Sequence, residues 1–96
     1  MVITILEAQV AADKAATLEQ IFTAEAKKLD PGIVQTFLIR STTDAGLWRI
    51  LTVWESREAL AAMRDSGETP RGVVMFRAAG AEPTLTVFSV AAHASV

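Results

Sequence analysis

The stretch from Gly46 to Met63 constrains the fold more than any other. Leu47-Trp48-Arg49-Ile50-Leu51-Thr52-Val53-Trp54-Glu55 is rich in β-branched, aliphatic and aromatic residues and predicts a strand. It runs at once into Ser56-Arg57-Glu58-Ala59-Leu60-Ala61-Ala62-Met63, which predicts a helix. Ser56 suits the N-cap, where its oxygen can accept an orphan amide. Glu58 falls in the first turn, where the helix dipole favours negative charge. A strand passing into a capped helix with almost no loop imposes α/β layering. It also aims Trp54 and the helix N-terminus at the same end of a sheet.

The other elements follow from periodicity. Val2 to Val10 predicts strand one, with Val2, Thr4, Leu6, Ala8 and Val10 on one side and Ile3, Ile5, Glu7 and Gln9 on the other. Ala15, Leu18, Phe22, Ala26 and Leu29 form one helical stripe within a helix expected from about Asp13 to Leu29. Asp30-Pro31-Gly32 stops it. Ile33 to Thr42 predicts strand two, joined to strand three through Thr43-Asp44-Ala45-Gly46 as a hairpin. After the helix from Arg57 to about Asp65, Thr69 is the expected cap and Pro70 the first position of a short helix ending near Gly80, with Val73 and Phe76 turned inward. Pro83 to about His93 predicts strand four.

This β-α-β-β-α-β order is the α+β, ferredoxin-like arrangement. Right-handed crossovers place strands one and three in the centre, with both helices on one face. The other face stays apolar and needs a cover, for which a second copy of the sheet is the simplest candidate.

Composition narrows the function. The 96 residues suit a single domain over 1–96. There is no cysteine, which excludes disulfides, thiolate nucleophiles and cysteine-based metal sites and is compatible with the cytoplasm. The net charge of −2, with scattered basic residues, offers no nucleic-acid footprint. No apolar segment is long enough for a membrane span. Hydrophobic residues make up 51% of the chain, more than a small monomer hides easily. A homodimer, an apolar ligand pocket, or both would account for it.

Ile50-Leu51-Thr52-Val53-Trp54-Glu55-Ser56-Arg57-Glu58-Ala59-Leu60, together with the opening strand, resembles the antibiotic biosynthesis monooxygenase family. The resemblance implies a homodimer whose two ferredoxin-like sheets form an α/β barrel. It also implies a pocket in each subunit between helices and sheet. Family members include cofactor-free oxygenases of aromatic polyketides, quinol monooxygenases and haem-degrading monooxygenases. The haem-degrading branch uses an Asn in strand one, a Trp in the helix after strand three and a His in the next helix. Those positions fall here at Glu7, Met63 and Val73, and all three differ. The resemblance therefore implies an oxygenase that needs no cofactor or metal and acts on an apolar aromatic such as a quinol or polyketide phenol.

The candidate residues each have a plainer role to weigh. Glu7, mid-strand among aliphatics, is either a carboxylate paired with Arg40 or Arg49, or a desolvated base for a phenolic proton. His93 is the only imidazole and the second candidate catalytic group, though a lone terminal His is commonly a surface residue. Trp54, on the same strand face as Trp48, is core packing or an aromatic wall against a planar substrate. Met63, Val73 and Phe76, with Met75, are core or pocket lining. Arg64 and Arg71 are solvated charges or, pointing inward, Arg64 holds an anionic oxygen. No metal site, phosphate loop or catalytic triad pattern is present. An oxygenase and a non-catalytic dimeric ligand-binding or stress-response module of the same fold are both open.

Overall fold

A computed structural model describes all 96 residues. Four strands, β1 (Val2–Gln9), β2 (Ile33–Arg40), β3 (Leu47–Trp54) and β4 (Thr84–Ser89), form one antiparallel sheet in the order β2-β3-β1-β4. The helices are α1 (Ala15–Glu25), α2 (Arg57–Asp65) and α3 (Arg71–Ala78), and a 3-10 turn at Ala12–Lys14 leads into α1. The architecture is the expected ferredoxin-like α+β fold, with β1 and β3 central.

Local chemistry explains most boundaries. Ser56 is extended at φ −158°, and its Oγ accepts the Ala59 N–H at 3.1 Å, so α2 starts where the cap requires. Several ends differ from expectation, β2 closing at Arg40 rather than Thr42 among them, and three have a visible cause. The first helix stops at Glu25 rather than Leu29, because the Lys28 N–H bonds the Glu25 carbonyl and tightens the exit towards Pro31. Pro70, not Thr69, takes the cap position of α3: its φ is −54° but its ψ of 139° is extended, and its carbonyl accepts from Val73 and Val74. The fourth strand ends at Ser89 rather than near His93. Ser89 pairs with Val2, and one more bond, Val90 N–H to the Met1 carbonyl, uses up the partner strand.

Gly32 makes the loop before β2 possible. Its φ is +89°, and a Cβ there would lie 2.4 Å from the Ala59 Cβ, with backbone just behind. Gly32→Ala is expected to cost about 3 kcal/mol, from a left-handed backbone and an overpacked contact that cannot yield. Urea denaturation measures it.

The side of the sheet under the helices carries Val2, Thr4, Leu6 and Ala8 from β1 and Trp48, Ile50, Thr52 and Trp54 from β3, all buried. Their core is split. One cluster joins Leu6, Leu18, Trp48, Ile50, Met75 and Phe76 beneath α1 and α3. The other joins Val2, Trp54 and Leu60 beneath α2, with Met63 packed against it. The far side of the sheet presents Ile3, Ile5, Leu51, Val53, Phe37, Ile39 and Phe88, and the last two and Phe37 are more than two-fifths exposed. The total accessible surface, 6187 Å², exceeds by about 800 Å² what a monomeric protein of this mass normally shows. No helix is long and apolar enough to cross a membrane.

Candidate functional site

The gap between the two core clusters is a cavity of about 110 Å³. Its floor has a simple origin. Each of three neighbouring strands has a threonine where its helix-facing series would otherwise continue apolar: Thr4 lies between Val2 and Leu6, Thr52 between Ile50 and Trp54, and Thr36 between Ile33 and Leu38. The register puts Thr4 opposite Thr52 and Thr52 opposite Thr36, so the hydroxyls form one row across the sheet. The Trp54 Nε1–H donates to Thr4 Oγ1 at 3.1 Å, and Thr36 and Thr52 share a hydroxyl hydrogen bond of 3.0 Å. The Thr4 hydroxyl, accepting from the indole, keeps its own hydrogen to give.

The walls are apolar. Phe22 of α1, Leu60 and Met63 of α2, Met75 of α3 and Ile50 of β3 close round the row, and Leu85 and Val87 of β4 flank it. The charged groups lining the cavity are Glu25, Asp30, Arg64 and Arg71. Arg71 joins two of them: its Nη1 lies 3.0 Å from Glu25 and its Nε 3.5 Å from Asp30. The Glu25 hydrogen bond first, and then the Asp30 charge, hold the Arg71 guanidinium above its ordinary pKa. These groups are two-fifths to a quarter exposed, so the latch is worth little to stability.

Trp54, Met63, Arg64 and Val73 line this cavity. Phe76 does not: it is completely buried within the larger core cluster. Glu7 lies on the far side of the sheet, opposite Arg49 in register, with its Oε1 2.6 Å from the Arg49 Nε. That is the ion-paired arrangement, away from the cavity, and nothing brings Glu7 near Trp54. His93 sits in the exposed segment beyond β4. The threonine row went unread in the sequence because threonine is an ordinary strand former. Its signal was positional: one threonine interrupts the buried series in each of three strands.

Gly72, the second residue of α3, lines the cavity too. A Cβ there would meet Leu6 Cδ1 at 2.5 Å, the movable end of a side chain that itself borders the cavity. Gly72→Ala is therefore expected to leave stability within about 1 kcal/mol, since helix propensity offsets the contact. It is also expected to drive the Leu6 methyl into the cavity. Denaturation and ligand titration of the same variant check both halves.

A haem does not suit the residues present. No His, Cys or Tyr lines the cavity to ligate iron, and a cavity that takes benzene is already about 150 Å³. No three His, Asp or Glu side chains are grouped to hold a metal ion.

The sheet order and the packing of the helices on one face define a ferredoxin-like α+β protein with a small cavity between helices and sheet. The family model for antibiotic biosynthesis monooxygenase matches residues 1–73, and the chain belongs to that family. No functionally curated protein matches the sequence. Among solved structures, the chain is similar to SnoaB, a cofactor-independent oxygenase from Streptomyces nogalater, at 19% identity and a TM-score of 0.71, covering 96% of this chain and 94% of that one. It is also similar to the haem-degrader MhuD from Mycobacterium tuberculosis, solved with two haems in its active site, at 25% identity and a TM-score of 0.71, covering 99% and 100%. A third likeness, to another Mycobacterium tuberculosis protein, has 18% identity and a TM-score of 0.67, covering 99% and 100%.

Proposed function

We propose that the cavity binds a phenol or quinol and that the protein oxygenates it with molecular oxygen, without metal or organic cofactor. The observation that carries this reading is the apolar cavity floored by the Thr4–Thr52–Thr36 row in a chain of this family. An apolar ring packs against Trp54, Ile50 and Phe22, while its oxygen meets the threonine hydroxyls. At 110 Å³ the space falls short of the roughly 150 Å³ that takes benzene, so a single ring enters with a small outward shift of the Met63 side chain and a polyketide phenol requires a larger opening.

The chemistry balances without a reductant. A carboxylate at the cavity's edge, Asp30 or Glu25, takes the phenolic proton, and the desolvated anion gives electrons to oxygen. Carbon–oxygen bond formation yields a hydroperoxide, and loss of water leaves a hydroxyquinone. One quinol and one O₂ thus give one hydroxyquinone and one water, with all four electrons drawn from the substrate. Arg64, which lines the cavity and has no carboxylate partner, favours the anion.

The dimer belongs to the same proposal. Two copies close sheet to sheet over Ile3, Ile5, Leu51, Val53 and Phe37. The excess surface of about 800 Å² is the area each partner of a standard interface gives up. A cytoplasmic location fits a chain without cysteine.

Oxygen uptake tests the activity, using benzene-1,4-diol and simple alkylphenols against heat-denatured protein. The expected result is enzyme-dependent uptake from which added catalase returns no oxygen, because water rather than hydrogen peroxide is the product. Asp30→Asn or Glu25→Gln is expected to slow it by 10²- to 10⁴-fold, about what a general base contributes. A second reading, a binding module without chemistry, is favoured by one observation: both carboxylates lining the cavity are engaged by Arg71. Ligand binding without uptake would decide for it.

A further inference from the structure

Beside the cavity, on the other side of Met63, runs a second depression of about 420 Å³. Asp30, Met63, Pro70 and Arg71 line both spaces, so they form the partition between them. The two differ in character. The cavity is walled by aliphatic and aromatic side chains. The groove is lined by the Glu55 and Glu68 carboxylates, the Ser66 and Thr69 hydroxyls and the small residues Gly32, Ala59 and Ala62. The partition is soft. Met63 is an unbranched, flexible side chain, and Arg71 is held only by partly exposed ion pairs.

We infer that the cavity and the groove are two subsites of one amphipathic ligand site. Resting on the cavity reading above, this names the ligand more closely: a single aromatic ring in the cavity, carrying a hydrogen-bond-donating, non-anionic arm that lies in the groove. The limit of one ring follows from the volume of the cavity, which is already slightly below that of a benzene site. The arm follows from the groove's chemistry. The Glu55 and Glu68 carboxylates and the Thr69 hydroxyl offer acceptors there, the Ser66 hydroxyl being taken up by the Met63 carbonyl and the Glu68 N–H, and the groove's one cation, Arg71, is already bonded to Glu25 and Asp30. A hydroxyl-rich or ammonium arm finds partners. A carboxylate or phosphate arm meets like charge. Glu55 and Glu68 therefore select the arm, and Met63 swings aside to let it pass.

Four probes test this by titration of the intact protein: 4-ethylphenol, its ammonium-bearing analogue tyramine, the phenolic glucoside arbutin, and 4-hydroxyphenylacetate. Tyramine and arbutin are expected to bind about tenfold more tightly than 4-ethylphenol, equivalent to one or two net hydrogen bonds. 4-Hydroxyphenylacetate is expected to bind more weakly than 4-ethylphenol. Ala62→Trp fills the groove from an exposed position on α2, and is expected to bring the tyramine-to-ethylphenol ratio down to about one. Glu68→Gln is expected to lower the tyramine ratio and to relieve the penalty on 4-hydroxyphenylacetate. Equal affinities for 4-ethylphenol and tyramine would overturn the groove subsite and leave the cavity reading standing, as would a ratio unchanged in Ala62→Trp. Failure of every probe, 4-ethylphenol included, would overturn both.

Discussion

Phe76→Ala is expected to lower the unfolding free energy by about 3–5 kcal/mol, the usual cost of emptying a well-packed aromatic site. Phe76 is fully buried and sits in the larger core cluster with Leu18, Trp48 and Ile50. It pins α3 to the sheet, and α3 supplies Gly72, Val73 and Met75 to the cavity. A chain of this length has only about 5–15 kcal/mol in total, so the loss is a large share. Urea denaturation followed by far-ultraviolet circular dichroism reads it. A loss below about 1 kcal/mol would mean that α3 is not held as described.

Leu51→Arg is expected to act on assembly instead. Leu51 lies on the far side of the sheet, opposite Ile5 on one strand and Phe37 on the other, in the middle of the uncovered apolar area. In a lone chain the arginine reaches water and the fold tolerates it. In a sheet-to-sheet dimer the charge is buried without a partner, which costs several kcal/mol. The dimer dissociation constant is expected to rise by about a hundred- to a thousandfold. Sedimentation equilibrium on both proteins, with circular dichroism to confirm folding, separates the two effects. A wild-type protein that sediments as a monomer, or a variant that still dimerises equally well, would remove the sheet face as the interface.

Much of the architecture was legible because local signals agreed. The β3–α2 stretch carried a strand pattern, a serine cap and a first-turn glutamate in the right order, and the structure uses all three. What failed was information that no local window contains. The length of β4 depends on where its partner strand lies: β1 starts at Val2, and the last bond to it is made by Val90. The alternation in β1 separated Val2, Thr4, Leu6 and Ala8 from Ile3, Ile5 and Glu7, but both sets are apolar enough to face a core. Only the packing of the helices assigns Glu7 to the far side, beside Arg49. The threonine row is the same case. Thr4, Thr36 and Thr52 are far apart in the chain and unremarkable singly. They become a polar line across an apolar floor only through the strand register.

Entry of a small phenol between the helices and the threonine row has an internal reporter. The chain has two tryptophans. The Trp54 indole N–H is bonded to Thr4 on the cavity floor, whereas the Trp48 indole N–H is buried in the larger cluster without a partner and away from the cavity lining. The most direct measurement is a nitrogen-15 correlation spectrum of the indole N–H pair during titration with 4-ethylphenol. The Trp54 signal is expected to shift saturably while Trp48 stays nearly still. A stationary Trp54 signal at saturating phenol, or equal movement of both indoles, would contradict that mode of entry.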